Sequence, residues 1–109
     1  MARFLTIGYG DRAGYEQTDA STLEAAHERD ARLQADGALV GIAGEPVQVR
    51  NHDAVGIDTT EGPFMRSGLP IAGFAVIEAA DFEEAVSLVS ATPCAVAHGV
   101  VDVWPMRLP

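Results

Sequence analysis

The segment from Pro70 to Ala79, PIAGFAVIEA, is the feature that most constrains the fold. It is the longest strand candidate in the chain, and apolar residues fall on both of its alternating faces. A strand of this kind belongs inside a sheet and needs cover on both sides. The rest of the chain must therefore supply helices for one face and a further surface for the other.

Two helices and five further strands are predicted around this strand. The first helix runs over residues 21–37, with a capping box of Ser21 and Glu24 and a stop at Gly37. The second covers 81–91, begins at an Asp81 cap and ends at Thr92-Pro93. The predicted strands cover residues 4–9, 38–44, 46–51, 54–60 and 99–106. Of these, 46–51 and 54–60 form a hairpin around Asn51-His52-Asp53.

The resulting order, βαβ(ββ)βαβ, predicts one α+β domain over residues 1–109 with an antiparallel sheet and both helices on one face. We expect Phe4, Ala72, Phe74 and Trp104 to be exposed on the uncovered face. An apolar patch of this size usually marks association, and a homodimer formed by sheet-to-sheet packing is its simplest cover.

Composition narrows the classes of function. The chain carries 16 acidic and 7 basic residues, a formal net charge of −9, which disfavours nucleic acid and anionic membranes as partners. No window is long and apolar enough for a membrane span. A single cysteine, Cys94, suits a reducing compartment, so we expect a cytoplasmic protein and interpret Cys94 as a buried structural thiol. The histidine spacing matches no metal motif, and neither a metal nor a cofactor is expected.

Several segments carry a resemblance to a known family. They are FLTIGYGD (4–11), ADGALVGIAG (35–44), TEGPF (60–64), AGFAVIEAADFEEAVSLVSATP (72–93) and GVVDVWPM (99–106). Together they resemble the YCII-related, DGPF-motif family over nearly the whole chain. The resemblance implies a ferredoxin-like fold that dimerises into an α/β barrel. Glu61 stands here where the family motif has Asp, and Asp102-Val103-Trp104-Pro105 where it has Glu-Val-Arg-Pro.

The TEGPF segment is interpreted as a stiff corner between the hairpin and the central strand. Pro63 fixes its own φ and pushes Gly62 toward an extended conformation. Phe64 is expected to anchor the corner in the core, and Glu61 is a candidate pocket acid.

Candidate catalytic residues are His27, Asp11, Asp30 and Asp102. His27 and Asp30 are neighbours three positions apart on the first helix, and a carboxylate beside an imidazole suits a general base. A solvated helix flank is the alternative interpretation of this pair. Asp102 shares a strand face with Trp104, where a semi-enclosed cavity would perturb its pKa; an interface pair is the alternative. His52 and His98 are interpreted as turn and loop residues.

Candidate ligand-binding residues are Tyr9, Arg50, Glu61, Phe64 and Trp104. The resemblance implies a small-molecule lyase or isomerase that works by general acid–base catalysis in the dimer barrel, on a small aromatic or lactone-like ligand. It equally admits a second class of function, a non-catalytic ligand-binding or regulatory dimer linked to transcription through neighbouring sigma factors.

Overall fold

A four-stranded antiparallel sheet with strand order β2-β5-β1-β6 forms the centre of the computed structural model, which describes residues 1–107. The strands are β1 (Ala2–Tyr9), β2 (Leu39–Ile42), β3 (Val47–Arg50), β4 (Asp58–Glu61), β5 (Ile71–Ala79) and β6 (Val100–Pro105). The helices are α1 (Arg12–Gln17), α2 (Ala20–Ala35), α3 (Phe82–Val89) and α4 (Pro93–Val96). This α+β topology is compatible with the ferredoxin-like fold and confirms the predicted antiparallel sheet.

The core lies between the sheet and the helices at one end of the two central strands. Phe4 of β1 pairs with Ile77 of β5, and both side chains are buried with Ala85 and Val89 of α3. The Phe4 ring also meets Phe82 edge to face, with 5.9 Å between centroids. The expectation that Phe4 lies on the open face is therefore wrong, since it is 3% exposed on the helix side. Because β1 has apolar residues on both faces, its sequence does not show which face packs against the helices. The contact between Phe4 and Phe82 decides it.

The opposite face of the sheet, here called the open face, carries no helix. Leu5 of β1 is paired there with Val76 and Trp104, and Ile7 with Phe74 and Asp102. Phe74 and Trp104 remain 38% and 48% exposed, as predicted. The register along β5 slips next to the Gly8–Gly73 pair, so that Tyr9 pairs with Ile71 and Ala72 becomes the extra residue of a bulge.

Strands β3 and β4 pair only with each other and form a separate two-stranded sheet. We call residues 46–64 the hairpin arm. The predicted hairpin is confirmed, but residues 51–57 connect its strands, so that 54–57 are not part of the second strand as predicted. Its corner also differs from the expectation. Gly62 has φ 93°, a left-handed conformation suited to glycine, rather than an extended one. Phe64 is 77% exposed and does not anchor the corner in the core. Its ring lies 5.8 Å from the Arg50 guanidinium, on the arm itself.

Two helix boundaries differ from the prediction, the start of α2 and the position of Pro93. Helix α2 is capped by Asp19, which accepts a hydrogen bond from the Ser21 backbone, so Ser21 lies inside the helix. Gly37 follows its C-terminus at φ 106°, as predicted. Pro93 begins α4 rather than only ending α3, because proline suits the first helical position. Within residues 1–107, no helix is long and apolar enough to cross a bilayer.

Replacing Phe4 with alanine tests the position of the core. We expect Phe4→Ala to lower the free energy of unfolding by about 3–5 kcal/mol, because it empties a buried aromatic site. Phe64→Ala is the matched control and should change it by no more than about 0.5 kcal/mol in the monomer. Urea denaturation of both variants, followed by circular dichroism, measures the difference. Equal losses would place Phe64 in the core and contradict this packing.

Candidate functional site

A pocket of about 240 Å³ opens between α2, α4 and the helix side of the main sheet. We call it the helix-side pocket. It exists because the pairs of β1 and β5 on this face decrease in size along the strands. Phe4 faces Ile77 at the core end, Thr6 faces Ala75 in the middle, and Gly8 faces Gly73 at the far end. The missing side-chain volume leaves space under the helices, with Leu33, Val40, Val89 and Val101 completing mainly apolar walls.

His27 and Asp30 of α2 both line this pocket. They lie one helical turn apart, and Leu33 follows one further turn along the same side of the helix. His27 is exposed, so it lies at the mouth, whereas Asp30 is half-buried. Burial raises the pKa of the Asp30 carboxyl, and the positive charge of a protonated His27 opposes this increase. The pair therefore holds a carboxyl group that resists ionisation next to an imidazole.

Tyr15 and Cys94 also line the pocket, as do the buried residues Thr6 and Thr92, and sequence reasoning assigned none of them to a site. The Tyr15 hydroxyl lies 4.0 Å from the Cys94 sulfur. Burial, followed by the negative charge of a Cys94 thiolate, raises the pKa of Tyr15 to about 12. The Cys94 pKa is also raised, chiefly by burial. Tyr15 thus remains a protonated hydrogen-bond donor at neutral pH.

Helix α1, which the sequence analysis missed, positions Tyr15. Asp11 caps the helix, and its Oδ1 accepts a hydrogen bond from the Gly14 N–H at 3.0 Å. The capping residue followed by a six-residue helix is the signal that could have revealed it, although such a short helix has no clear hydrophobic period. Asp11 therefore supports the pocket through α1, and the structure places it outside the lining.

The open face carries a second group of predicted residues. Tyr9, Asp102 and Trp104 line a cleft of about 370 Å³ together with the segment 65–69. Burial is the largest cause of the raised pKa of Tyr9, and the neighbouring Asp102 carboxylate adds to it. This open-face cleft is separated from His27 by the sheet, since Asp102 and His27 lie on opposite sides of it. Asp102 and His27 therefore do not form one catalytic site.

The remaining predicted ligand-binding residues lie on the hairpin arm. Arg50 stacks on Phe64 and donates a hydrogen bond to Gln48 Oε1 at 2.9 Å. Glu61 ends β4, where it is exposed and paired with Val47. His52 lies in a short 3₁₀ turn between the arm strands and is exposed. The exposed His98 has φ 62° in the loop before β6.

Comparison with known proteins identifies a family for this chain. The family model described as the YCII-related domain matches residues 2–107, nearly the whole chain. A search among curated proteins finds no match.

Gly14→Ala tests the close packing of α1 against the backbone at Ala97, which positions Tyr15 at the pocket. Alanine in a helix is ordinarily about 0.8–1.0 kcal/mol more favourable than glycine. Here a Cβ at position 14 would lie 2.2 Å from the Ala97 carbonyl oxygen, so overpacking at about 1–3 kcal/mol should exceed that gain. We expect a lower melting temperature and altered Tyr15 fluorescence. Gly44→Ala, which meets open space, is the control; a more stable Gly14→Ala variant would contradict the close approach.

Asp30→Asn tests the burial of the carboxyl group. Because the Asp30 pKa is higher in the folded than in the unfolded chain, the folded state keeps the proton to higher pH. Ionisation therefore lowers stability as the pH rises through the folded pKa, and asparagine removes this loss. We expect Asp30→Asn to melt above the parent at pH 7, with the difference shrinking as the pH falls from the raised folded pKa toward 3.8, the ordinary carboxyl value, and changing no further below it. A difference that grows on acidification would refute the assigned direction.

Proposed function

Since the chain belongs to the YCII-related family, we propose that it is an enzyme that moves a proton on a small organic substrate in the helix-side pocket. The reaction class is that of a lyase or isomerase using general acid–base catalysis. The observation that carries this proposal is the placement of His27 and Asp30, one turn apart on α2, in a pocket whose walls are mainly apolar. Titratable groups at the mouth and inside such a pocket are typical of acid–base sites.

Three polar side chains of the pocket have a role in this reaction. The imidazole of His27 accepts a proton from a carbon next to a substrate carbonyl and then returns it to another atom of the same substrate. The Asp30 carboxylate, when ionised, stabilises the imidazolium that forms between these two steps. The Tyr15 hydroxyl donates a hydrogen bond to the oxygen on which negative charge develops. No proton, electron or group is gained or lost overall in an isomerisation of this kind.

The size and lining of the pocket support a compact substrate. Ligand pockets for drug-sized molecules are about 300–1,000 Å³, and this one is smaller at about 240 Å³. Leu33, Val40 and Val101 supply apolar walls. The polar side chains of the lining are those of Thr6, Tyr15, His27, Asp30, Thr92 and Cys94. A small aromatic or lactone-like compound with one carbonyl oxygen would place its apolar body against these walls and its oxygen near the polar groups.

The open face supports a homodimer formed by sheet-to-sheet packing, which would turn two sheets into one barrel. Phe74 and Trp104 are exposed there, and Leu5, Ile7 and Val76 are half-buried beside them. Association through this face would leave the helix-side pocket of each subunit accessible, because the pocket lies on the other side of the sheet. Catalysis and association would then use different faces.

A non-catalytic ligand-binding or regulatory dimer is the second candidate. The exposure of His27 favours it, because a catalytic base is usually held in a more enclosed position. The same pocket would then bind a ligand without changing it, and the dimer would act through its surface.

His27→Gln separates the two candidates. A panel of small lactones and aromatic carbonyl compounds is first screened by thermal shift, since a ligand of the folded state raises the melting temperature. Turnover of each binder is then followed by NMR. For an enzyme, we expect His27→Gln to lower kcat/KM by about 100-fold or more while the melting temperature stays within a few degrees of the parent.

His52→Ala is the matched control, because His52 is exposed on the hairpin arm and should leave kcat/KM unchanged. Equal turnover by the parent and His27→Gln would remove His27 from the mechanism. Binding without turnover, with the thermal shift lost in Tyr15→Phe, would favour the non-catalytic candidate.

A further inference from the structure

We propose that the hairpin arm of each protomer packs against the partner subunit and acts as the clasp of the homodimer. The proposal rests on the homodimer proposed above and adds to it the segment that the sheet-to-sheet contact leaves out. The arm is isolated from the main sheet, because β3 and β4 pair with each other and with no other strand among residues 1–107.

The arm exposes many apolar side chains, which is unusual for a hairpin that packs against no other surface. Val47, Val49, Val55, Ile57 and Phe64 are each between 57% and 85% exposed. A two-stranded hairpin in water is marginally stable at best and needs packing against another surface. The arm is nonetheless a regular ladder, with Val47 paired to Glu61 and Arg50 paired to Asp58. A surface outside the protomer would therefore stabilise it.

The root of the arm lies on the side where the partner is proposed to sit. The segment 65–69, which leads from the arm to β5, lines the open-face cleft with Tyr9, Asp102 and Trp104. Pro63, at the end of the arm, and Ile71, at the start of β5, meet Tyr9 around a neighbouring hollow. The chain thus leaves the sheet across its open face, so a second copy docked on that face lies next to both arms.

The protomer exposes more surface than a compact monomer of its mass, which favours a partner that covers part of it. Its accessible surface is 7632 Å², whereas a folded monomer of 11.5 kDa exposes about 5,800 Å². Its radius of gyration is 15.8 Å, compared with about 13 Å for a compact chain of this length. The excess of about 1,800 Å² is more than twice the roughly 800 Å² that each partner buries in a standard interface.

A second copy of this chain is the occupant that fits these observations. In a two-fold dimer each contact occurs twice, so both arms and both open faces are covered by a single association. An unrelated partner would have to match the arm and the open face at once, although these surfaces come from separate sheets.

Sedimentation equilibrium of the full chain and of four variants tests whether the arm contributes to the dimer. Val49→Asp changes the arm, Phe74→Asp changes the open face, and Val86→Asp on α3 is an exposed control on the helix side of the sheet. Ile57→Asp repeats the arm change outside its strands, in case aspartate at position 49 opens the hairpin. Circular dichroism verifies that each variant is folded.

We expect the parent to be a dimer, and expect Val49→Asp and Ile57→Asp to raise the dimer dissociation constant by at least about 100-fold, as for a buried hot-spot residue. Val86→Asp should leave it unchanged. A photo-crosslinking amino acid at position 49 should join an isotopically labelled copy to an unlabelled one.

Two results would overturn the proposal in distinguishable ways. If Phe74→Asp dissociates the dimer while both arm variants leave the dissociation constant unchanged, the sheet-to-sheet dimer stands and the clasp is wrong. If the parent is monomeric at all concentrations, both the clasp and the dimer are wrong. Neither result bears on turnover in the helix-side pocket, which His27→Gln measures separately.

Discussion

The antiparallel pairing of β1 with β5 is the contact from which the other parts of the protein take their positions. Along the helix side of this pair, the opposed residues decrease from Phe4 and Ile77, through Thr6 and Ala75, to Gly8 and Gly73. The bulky end forms the core with α3, and the small end leaves the volume that becomes the helix-side pocket. One register thus separates the part of the sheet that forms the core from the part that lines the helix-side pocket.

The pocket concentrates groups that burial makes harder to ionise. The pKa values of Asp30, Tyr15 and Cys94 are all raised, with burial as the largest cause for each. Asp30 is the costly member, because it would be charged at neutral pH in an unfolded chain. A carboxyl group that lowers stability without forming an ion pair is typical of functional sites, where stability is exchanged for chemistry. The salt bridges found within residues 1–107, Arg3 with Glu78 and Arg12 with Glu16, are exposed by comparison.

The two faces of the sheet divide the proposed functions between them. The helix side encloses a small pocket with His27 at its mouth, whereas the open face and the hairpin arm expose apolar surface. Since the sheet lies between them, association can be strengthened or weakened without contact with the reacting groups. Membership of the YCII-related family applies to the whole arrangement, because the match extends over residues 2–107 and so includes both faces and the arm.

Much of the fold could be predicted from local pattern. The apolar central strand, the hairpin, the Asp81 cap and the stop at Gly37 all appear in the structure, because alternation and capping depend on near neighbours in sequence. The spacing of three positions likewise predicted that His27 and Asp30 would be neighbours on α2. Helix α1 was missed because six residues are too few to show a period, and Tyr15 was missed with it.

The sequence by itself determined which residues alternate, where α2 and α3 form and which chain segments pair locally. Only the tertiary structure decided that Phe4 faces the helices, that Phe64 lies outside the core, and that His27 and Asp102 are on opposite sides of the sheet. The physical reason is that a strand with apolar residues on both faces carries no information about which face is covered. That choice depends on contacts such as Phe4 with Phe82, which are made by residues far apart in the chain.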